Sequence, residues 1–259
     1  MKSKSLVRML LFGMFLIIPS SVYADAFSLT VVNFSNVQIT STAGSLTFGV
    51  WQANGSATAG QNLGGGLIEQ TNTSFSNGGH APATATVSSA SATGVANGLG
   101  PLSVNASSTV DLQDCLCSAA SLGRGTLSNT FMVTGVDGAV DVNISAFLSS
   151  LQIVSTDEFG AAAHSQIVIS LLVDSIPVFS MAFPLTIGTN SMDTVLTIQQ
   201  LAGAITVQGN TQHTITISAQ ATSSGADAIP EPATAVLLLS GLGFMTGLIR
   251  KRRETSRRR

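Results

Sequence analysis

The chain has 259 residues, of which 9% are charged, against about 25% in an ordinary globular domain. Its net charge of −2 conceals an uneven distribution, because ten of the eleven basic residues lie in positions 1–8 or 250–259. Residues 25–228 carry eleven acidic residues and one basic residue, Arg124, a formal charge of −10. A surface with one cation cannot neutralise a series of phosphates, which argues against nucleic acid as a partner.

The N-terminal segment is typical of a secretory signal peptide. Positive residues come first, and an apolar run, a proline and small residues at cleavage-site spacing follow. In order, these are Lys2, Lys4 and Arg8, residues 10–18, Pro19, and residues 22–24. The apolar run is too short to span a bilayer as a helix. We predict a signal peptide over 1–24, cleaved after Ala24 or alternatively after Ala26; a short buried helix is the competing interpretation.

Beyond the signal peptide, several stretches alternate apolar and polar residues with period two, which predicts half-buried strands. Asn, Gly, Asp and Ser in the breaks between the stretches favour turns. The segment VDSIP (173–177) predicts a tight hairpin between two apolar strands. The predicted strands are 27–34, 45–53, 139–148, 165–173, 176–183, 193–201, 204–208 and 213–220.

About ten short strands in a region of roughly 200 residues indicate an all-β domain over 25–220. A β-sandwich with a jelly-roll-like arrangement is the expected fold. A β-solenoid is the alternative, although the chain lacks the fixed 20–30-residue repeat that solenoids show.

The region 54–110 is nearly free of charge and rich in Gly, Ser, Ala and Thr. This composition fits a long flexible insertion. It also fits strands built from small residues, such as 83–95, because that stretch alternates weakly. We favour small-residue strands joined by loops.

Cys115 and Cys117 are the two cysteines of the chain. In an exported protein such a pair suggests a disulfide. In an extended strand, residues i and i+2 lie near the upper distance limit for a bridge, so a turn would be needed. We expect a local disulfide, with free or intermolecular thiols and a metal site as the alternatives.

The sequence contains no convincing catalytic motif. His80, His164 and His213 are scattered without metal-ligand spacing, and no GxSxG segment accompanies the many serines. The glycine-rich segment 62–70 lacks the basic residue and helix start of a phosphate-binding loop. We therefore expect no enzyme activity and no cofactor.

Two pairs of aspartates are candidate ligands for Ca²⁺, which prefers oxygen donors. Asp111 and Asp114 form one pair, and Asp137 and Asp141 form the other. Neither pair matches the calcium loop of an EF-hand. Asp137-Gly138 is more simply interpreted as a hairpin turn, so no metal site is predicted.

The C-terminus predicts a membrane anchor. A small-residue linker over 221–229 leads to Pro230, Glu231 and Pro232, where two prolines disfavour helix. Residues 233–249 are uncharged and would form a membrane helix about 25 Å long. Arg250, Lys251, Arg252 and Arg253 follow as a cytoplasmic stop, and 254–259 extend the basic tail.

This arrangement of Pro-Glu-Pro, apolar helix and arginine cluster over 230–253 resembles the PEP-CTERM sorting signal. The resemblance implies export by a Gram-negative bacterium that makes exopolysaccharide. It also implies recognition of Pro230, Glu231 and Pro232 by exosortase, a membrane protease that cleaves such tails. It covers the tail alone and implies nothing specific about the domain before it.

Three functions are compatible with these features. The first is an exported, non-enzymatic surface or matrix protein, held in the inner membrane until exosortase processes it, with exopolysaccharide as a further candidate partner. The second is a carbohydrate-binding sandwich, in a Ca²⁺-dependent or a Ca²⁺-independent form, for which an aromatic platform would be needed; Trp51 is expected in the core. The third is an exported hydrolase, for which the sequence supplies no motif.

Overall fold

The computed structural model describes residues 25–63, 66–113, 117–157, 161–188 and 190–226. These residues form thirteen strands and no helix, so the all-β prediction is confirmed. No helix in these ranges has the length and hydropathy needed to cross a membrane. The predicted signal peptide (1–24) and membrane helix (233–249) lie outside the described residues.

The strands form two antiparallel sheets, which confirms the predicted sandwich at that level. The jelly-roll-like variant stays a prediction. Sheet A has six strands, in spatial order β12 (Ser191–Gln208), β9 (Ala139–Thr156), β1 (Ala26–Ser41), β7 (Ser103–Leu112), β6 (Ala90–Asn97) and β5 (His80–Val87).

Sheet B has seven strands, two of which pair with successive parts of the same neighbouring strand. Its spatial order is β11 (Ile176–Gly188), β10 (Ala162–Val173), β13 (Gln212–Ala226), β8 (Ser118–Thr134), β3 (Gln52–Asn62) and β4 (Leu67–Asn77), with β2 (Ser45–Phe48) also paired to β8. The predicted hairpin at VDSIP is confirmed: Asp174 and Ser175 form a two-residue turn between β10 and β11, both with positive φ. Such a backbone matches the twist of the two strands that it joins.

Period-two alternation in the sequence becomes alternation in burial. Along β9 every second residue from Val140 to Thr156 is buried between the sheets, and the residues between them face outwards. The low-charge region 54–110 forms strands β3, β4, β5, β6 and β7, which confirms the favoured prediction of strands there.

Several predicted boundaries differ from the structure. The segment 45–53 is interrupted between β2 and β3, and 83–95 contains the turn between β5 and β6. The two strands expected at 193–201 and 204–208 are one strand, β12. Strand β13 continues to Ala226, so residues 221–226 are not the flexible linker that composition suggested.

One side of the sandwich is filled by large side chains, here called the aliphatic cluster. It brings together residues of both sheets, and its largest fully buried side chains include Phe34, Phe131, Leu127, Ile144, Leu148, Ile167, Ile169, Leu171, Ile215 and Ile217. Full burial of each such side chain stabilises the fold by about 1.5–3 kcal/mol.

The other side is filled mainly by alanine and is here called the alanine cluster. Its members are Ala26, Ala57, Ala59, Ala83, Ala85, Ala90, Ala92, Val110, Leu112, Cys117, Ala119 and Ala161. Glycines bring the backbones of the sheets into contact beside it. A Cβ added at Gly94 would overlap the carbonyl oxygens of Ser56 and Arg124, and one at Gly123 would overlap those of Thr93 and Ser107.

A strip of buried hydroxyl groups separates the two clusters. Ser223 of β13 is its hub: the Ser223 hydroxyl lies 2.9 Å from the hydroxyls of both Thr30 and Ser108. The Thr30 hydroxyl also lies 2.6 Å from that of Ser165, to which Gln152 donates from 2.9 Å. These bonds connect β1, β7 and β9 of sheet A to β10 and β13 of sheet B, because buried polar groups must find partners within the protein.

Candidate functional site

A groove of about 590 Å³ crosses the outer face of sheet B where β13 ends. Its floor is low because a row of short side chains runs across the sheet. Ser224 of β13, Ala120 of β8 and Gly60 of β3 lie side by side in that row. Thr186 of β11 stands at one side of the floor and Leu67 of β4 at the other. The volume falls within the usual range for ligand sites.

Hydroxyl and amide groups dominate the polar lining of this groove. They belong to Thr58, Asn62, Ser118, Thr186 and Ser224, whereas the Gln61 amide is buried and bonds to Ser88 and Ser89. Two ionisable side chains, Glu69 and His164, accompany them, and His164 Nδ1 lies 2.6 Å from the Thr186 hydroxyl. Such a lining can donate to and accept from a neutral polar ligand. The sequence does not reveal the groove, since its residues come from six separate strands or strand ends.

The aromatic side chains cluster away from the groove. Phe48 stacks on Trp51 with ring centroids 6.1 Å apart and lies 6.0 Å from Phe131. Trp51 is half-buried and packs against the aliphatic cluster. Its expected place in the core is therefore confirmed in part. The aromatic residues of this cluster are not among those that line the groove.

His213 and Asp174 form a pair that the sequence did not reveal. His213 is the second residue of β13 and is buried, while Asp174 lies in the β10–β11 turn. Nδ1 of His213 lies 2.6 Å from an Asp174 carboxylate oxygen, and Nε2 lies 2.9 Å from the Gln208 carbonyl oxygen. The other Asp174 oxygen accepts a bond of 2.7 Å from the Thr214 backbone. Two acceptors facing the two ring nitrogens favour the doubly protonated imidazolium.

This geometry shifts both pKa values towards the charged forms. Burial acts to lower the pKa of His213, but the bonds to Gln208 and Asp174 and the Asp174 charge raise the pKa of His213 overall. Burial acts to raise the pKa of Asp174, but the Thr214 amide and the His213 side chain and charge lower it overall. The charged hydrogen bonds of this pair therefore connect the β10–β11 turn to the start of β13.

The candidate calcium ligands are engaged by side chains of the protein. Asp141 accepts a bond of 2.6 Å from the Thr206 hydroxyl, and Asp137 accepts one of 2.9 Å from the Asn210 amide. Asp111 bonds to Gln113, whereas Asp114 lies outside the described residues. Within the described ranges no group of three His, Cys, Asp or Glu side chains could hold a metal ion.

The other candidate residues are distributed over the fold. Cys117 is buried and disulfide-bonded; Cys115 lies outside the described ranges, so their pairing stays a prediction. His80 is exposed at the start of β5, far in sequence from the other two histidines. The glycine-rich segment 62–70 contributes its last four residues to β4.

The tail residues singled out in the sequence lie outside the described part of the chain. Pro230, Glu231 and Pro232 and the cluster Arg250, Lys251, Arg252 and Arg253 are among them. Residues 228–253 match the family model described as "PEP-CTERM protein-sorting motif", and this match confirms the resemblance. The matched segment begins two residues after β13 ends. No curated protein and no solved structure is similar enough to match the chain.

Proposed function

We propose that this chain, which carries the PEP-CTERM protein-sorting motif at residues 228–253, is an exported, non-enzymatic protein of the cell surface or extracellular matrix. The motif implies an exported protein that passes through the membrane. Exosortase recognises Pro230, Glu231 and Pro232 and cleaves the tail, and the inner membrane holds the precursor until then. The match to the sorting motif is the observation that carries this proposal.

The charge distribution supports the same topology. The predicted signal peptide begins with basic residues, residues 25–228 carry a formal charge of −10, and the sorting motif ends in a basic cluster. Basic residues stay on the cytoplasmic side of a membrane segment. In the proposed topology the sandwich lies outside the membrane and the basic tail inside.

Cell fractionation of a bacterium that contains exosortase tests the sorting step. Replacing Pro230, Glu231 and Pro232 by alanine should leave the full-length precursor in the inner membrane, as should deletion of exosortase. Glu254→Ala is the matched control, because Glu254 lies one residue beyond the matched motif. Unchanged processing of the Pro-Glu-Pro variant would refute the sorting proposal.

The described domain suits a structural role in the matrix. Its sheets are joined by buried hydroxyl bonds, and its outer faces are rich in uncharged polar residues, as along β3 and β13. Uncharged hydroxyl groups allow close contact with hydrated polymers without charge repulsion. Exopolysaccharide is the polymer that we propose as the neighbour of the processed protein.

Binding of carbohydrate in the groove is the second candidate function, favoured by the hydroxyl and amide lining. Calorimetric titration with oligosaccharides of the host's exopolysaccharide tests it. Ala120→Phe would fill the groove floor and should abolish the heat of binding. Thr126→Phe, on the outer face of the same strand but outside the groove, should bind normally. Equal binding by both variants would contradict a site in the groove.

A further inference from the structure

The edges of the two sheets are protected to different degrees. An edge strand presents unpaired backbone N–H and C=O groups, and proteins block such edges with proline, charge or covering groups. Strand β11, an edge of sheet B, contains Pro177 and Pro184. A proline cannot donate to a further strand, so β11 is poorly suited to pairing.

The edge formed by β5 in sheet A is also protected. Pro82 lies within this strand, and two side chains of β4 bond to its outward backbone groups. Asn72 donates to the carbonyl oxygen of Thr84, and Gln70 accepts a bond of 2.7 Å from the Thr86 amide. Strand β4 is 11 residues long, carries the acidic Glu69 and lies against β5 through the bonds of Asn72 and Gln70.

Strand β12 forms the opposite edge of sheet A and lacks these protections. It has 18 residues, no proline and a single charged residue, Asp193, near its start. Three large apolar side chains on its outer face are unusually open: Met192, Leu196 and Ile198 are 68%, 66% and 61% exposed. On the inner face, Val195 and Ile205 are half-buried, whereas Leu201 and Val207 are buried.

We propose that β12 is a homodimerisation edge at which a second copy of this chain adds its own β12 in antiparallel orientation. A two-fold axis generates an antiparallel pair from identical edges. The pairing satisfies the outward backbone groups and places apolar side chains of one copy beside those of the other, at cross-strand distances of about 5 Å. Where nearly the whole strand pairs, Leu196 and Ile198 of one copy lie beside outer-face residues in the second half of the other strand, such as Ala202 and Ala204.

The area of the edge favours a second copy as its occupant. Residues 25–228 are strongly acidic, which opposes association of two copies in general, but this strand carries one charged residue and adds little repulsion of its own. At about 3.3 Å per residue, β12 is roughly 60 Å long. A partner strand covering a band about 10 Å wide would bury roughly 600 Å² per copy, close to the standard interface of about 800 Å² per partner.

Light scattering on the fragment 25–228 tests the proposal. Residues 23–228 form one compact unit that contains all thirteen strands and both clusters, so the fragment retains the whole fold. We expect twice the mass of one fragment for the unmodified protein. The double variant L196K/I198K should halve the measured mass, because lysine on an edge opposes pairing. Its circular dichroism should not change, since both side chains are exposed.

The matched control is L67K/F75K on the proline-free edge β4, where the two side chains are 69% and 61% exposed. This variant should retain the dimer mass. A monomeric unmodified fragment, or a dimer lost in the β4 variant and kept in the β12 variant, would overturn the proposal. Flotation of a monomeric fragment with phosphatidylglycerol vesicles would assign the edge to lipid instead.

Hydrogen exchange on the unmodified fragment gives a second measurement that needs no variant. Dilution should dissociate the dimer into monomers. Hydrogen exchange should then become faster at the backbone amides of β12 but not at those of β11. Exchange at β12 that does not depend on concentration would contradict dimerisation through this strand.

Discussion

The two sides of the sandwich are both packed between β-sheets, but the side chains that fill them differ greatly in size. In the aliphatic cluster, Leu148, Ile169 and Ile217 fill the space between the sheets. Beside the alanine cluster, Gly94 and Gly123 lie so close to the facing sheet that a methyl group would overlap its backbone. Side-chain volume therefore sets the separation of the sheets. Removal of side-chain volume should therefore destabilise the aliphatic side, and addition of volume should destabilise the alanine side.

Phe34→Ala should give the largest loss of stability. Phe34 is fully buried and makes an edge-to-face contact with Phe179, with ring centroids 5.7 Å apart. Loss of a buried phenylalanine costs about 3–5 kcal/mol in the free energy of unfolding. Urea denaturation measures it. Phe75→Ala, at a side chain 61% exposed, should change stability by less than about 0.5 kcal/mol; equal losses would contradict the assigned core.

Gly123→Ala should destabilise the other side by overpacking, at about 2–3 kcal/mol. The added methyl group would meet the backbone oxygens of Thr93 and Ser107, which cannot turn away as a flexible side chain can. Gly60→Ala is the control, because its nearest neighbour, the Ile68 carbonyl oxygen, would lie 3.6 Å away. Similar thermal midpoints for the two variants would show that the sheets are not in backbone contact at Gly123.

Ser223→Ala tests the hydroxyl strip between the two sides. The change would leave the buried hydroxyls of Thr30 and Ser108 with fewer partners. The expected loss in the free energy of unfolding is about 1–2 kcal/mol. Ser218→Ala, on the outer face of the same strand, removes a half-exposed bond to Ser170 that water can replace. A loss at Ser218 as large as that at Ser223 would count against a special role for the strip.

The strands of the aliphatic side could be predicted because large apolar residues alternate there with polar ones. The residues at which these strands begin and end could not be predicted in this way. Around Gly203 the apolar pattern of β12 weakens, yet pairing with β9 continues through Gly203 and Ile144. On the alanine side the pattern is weak throughout, because the facing backbone, rather than large side chains, provides the packing. That contact joins residues distant in sequence, such as Gly94 and Arg124.

The sorting motif could be predicted completely from the sequence, since it is a linear segment read in its own order. The groove and the paired His213 and Asp174 could not. Asp174 and His213 are 39 positions apart and meet because β10 pairs with β13. The turn chemistry of Asp174-Ser175 was visible, but the strand that receives its carboxylate was not.

The smallest expected effect is the pH dependence of stability that comes from His213 and Asp174. His213 lies at the end of the aliphatic side and packs against Phe131, with ring centroids 5.5 Å apart. Because the folded-state pKa of His213 is raised, its stabilisation is complete below the unfolded value of about 6.5 and is lost as pH rises through the folded pKa. Because the pKa of Asp174 is lowered, its stabilisation is present above about 3.9 and is lost as pH falls through the folded pKa.

The pair should therefore stabilise the fold most between about pH 4 and 6.5. The Asp174 side chain is 44% exposed, so solvent screening limits the effect to about 1 kcal/mol or less. Asp174→Asn removes the charge but keeps a side-chain oxygen that can accept from the Thr214 amide. Asparagine also tolerates the positive φ of this position. Its thermal midpoint should fall less than that of the unmodified protein between pH 6 and 8. Parallel curves for the two proteins would mean that the charge of Asp174 does not hold the proton on His213.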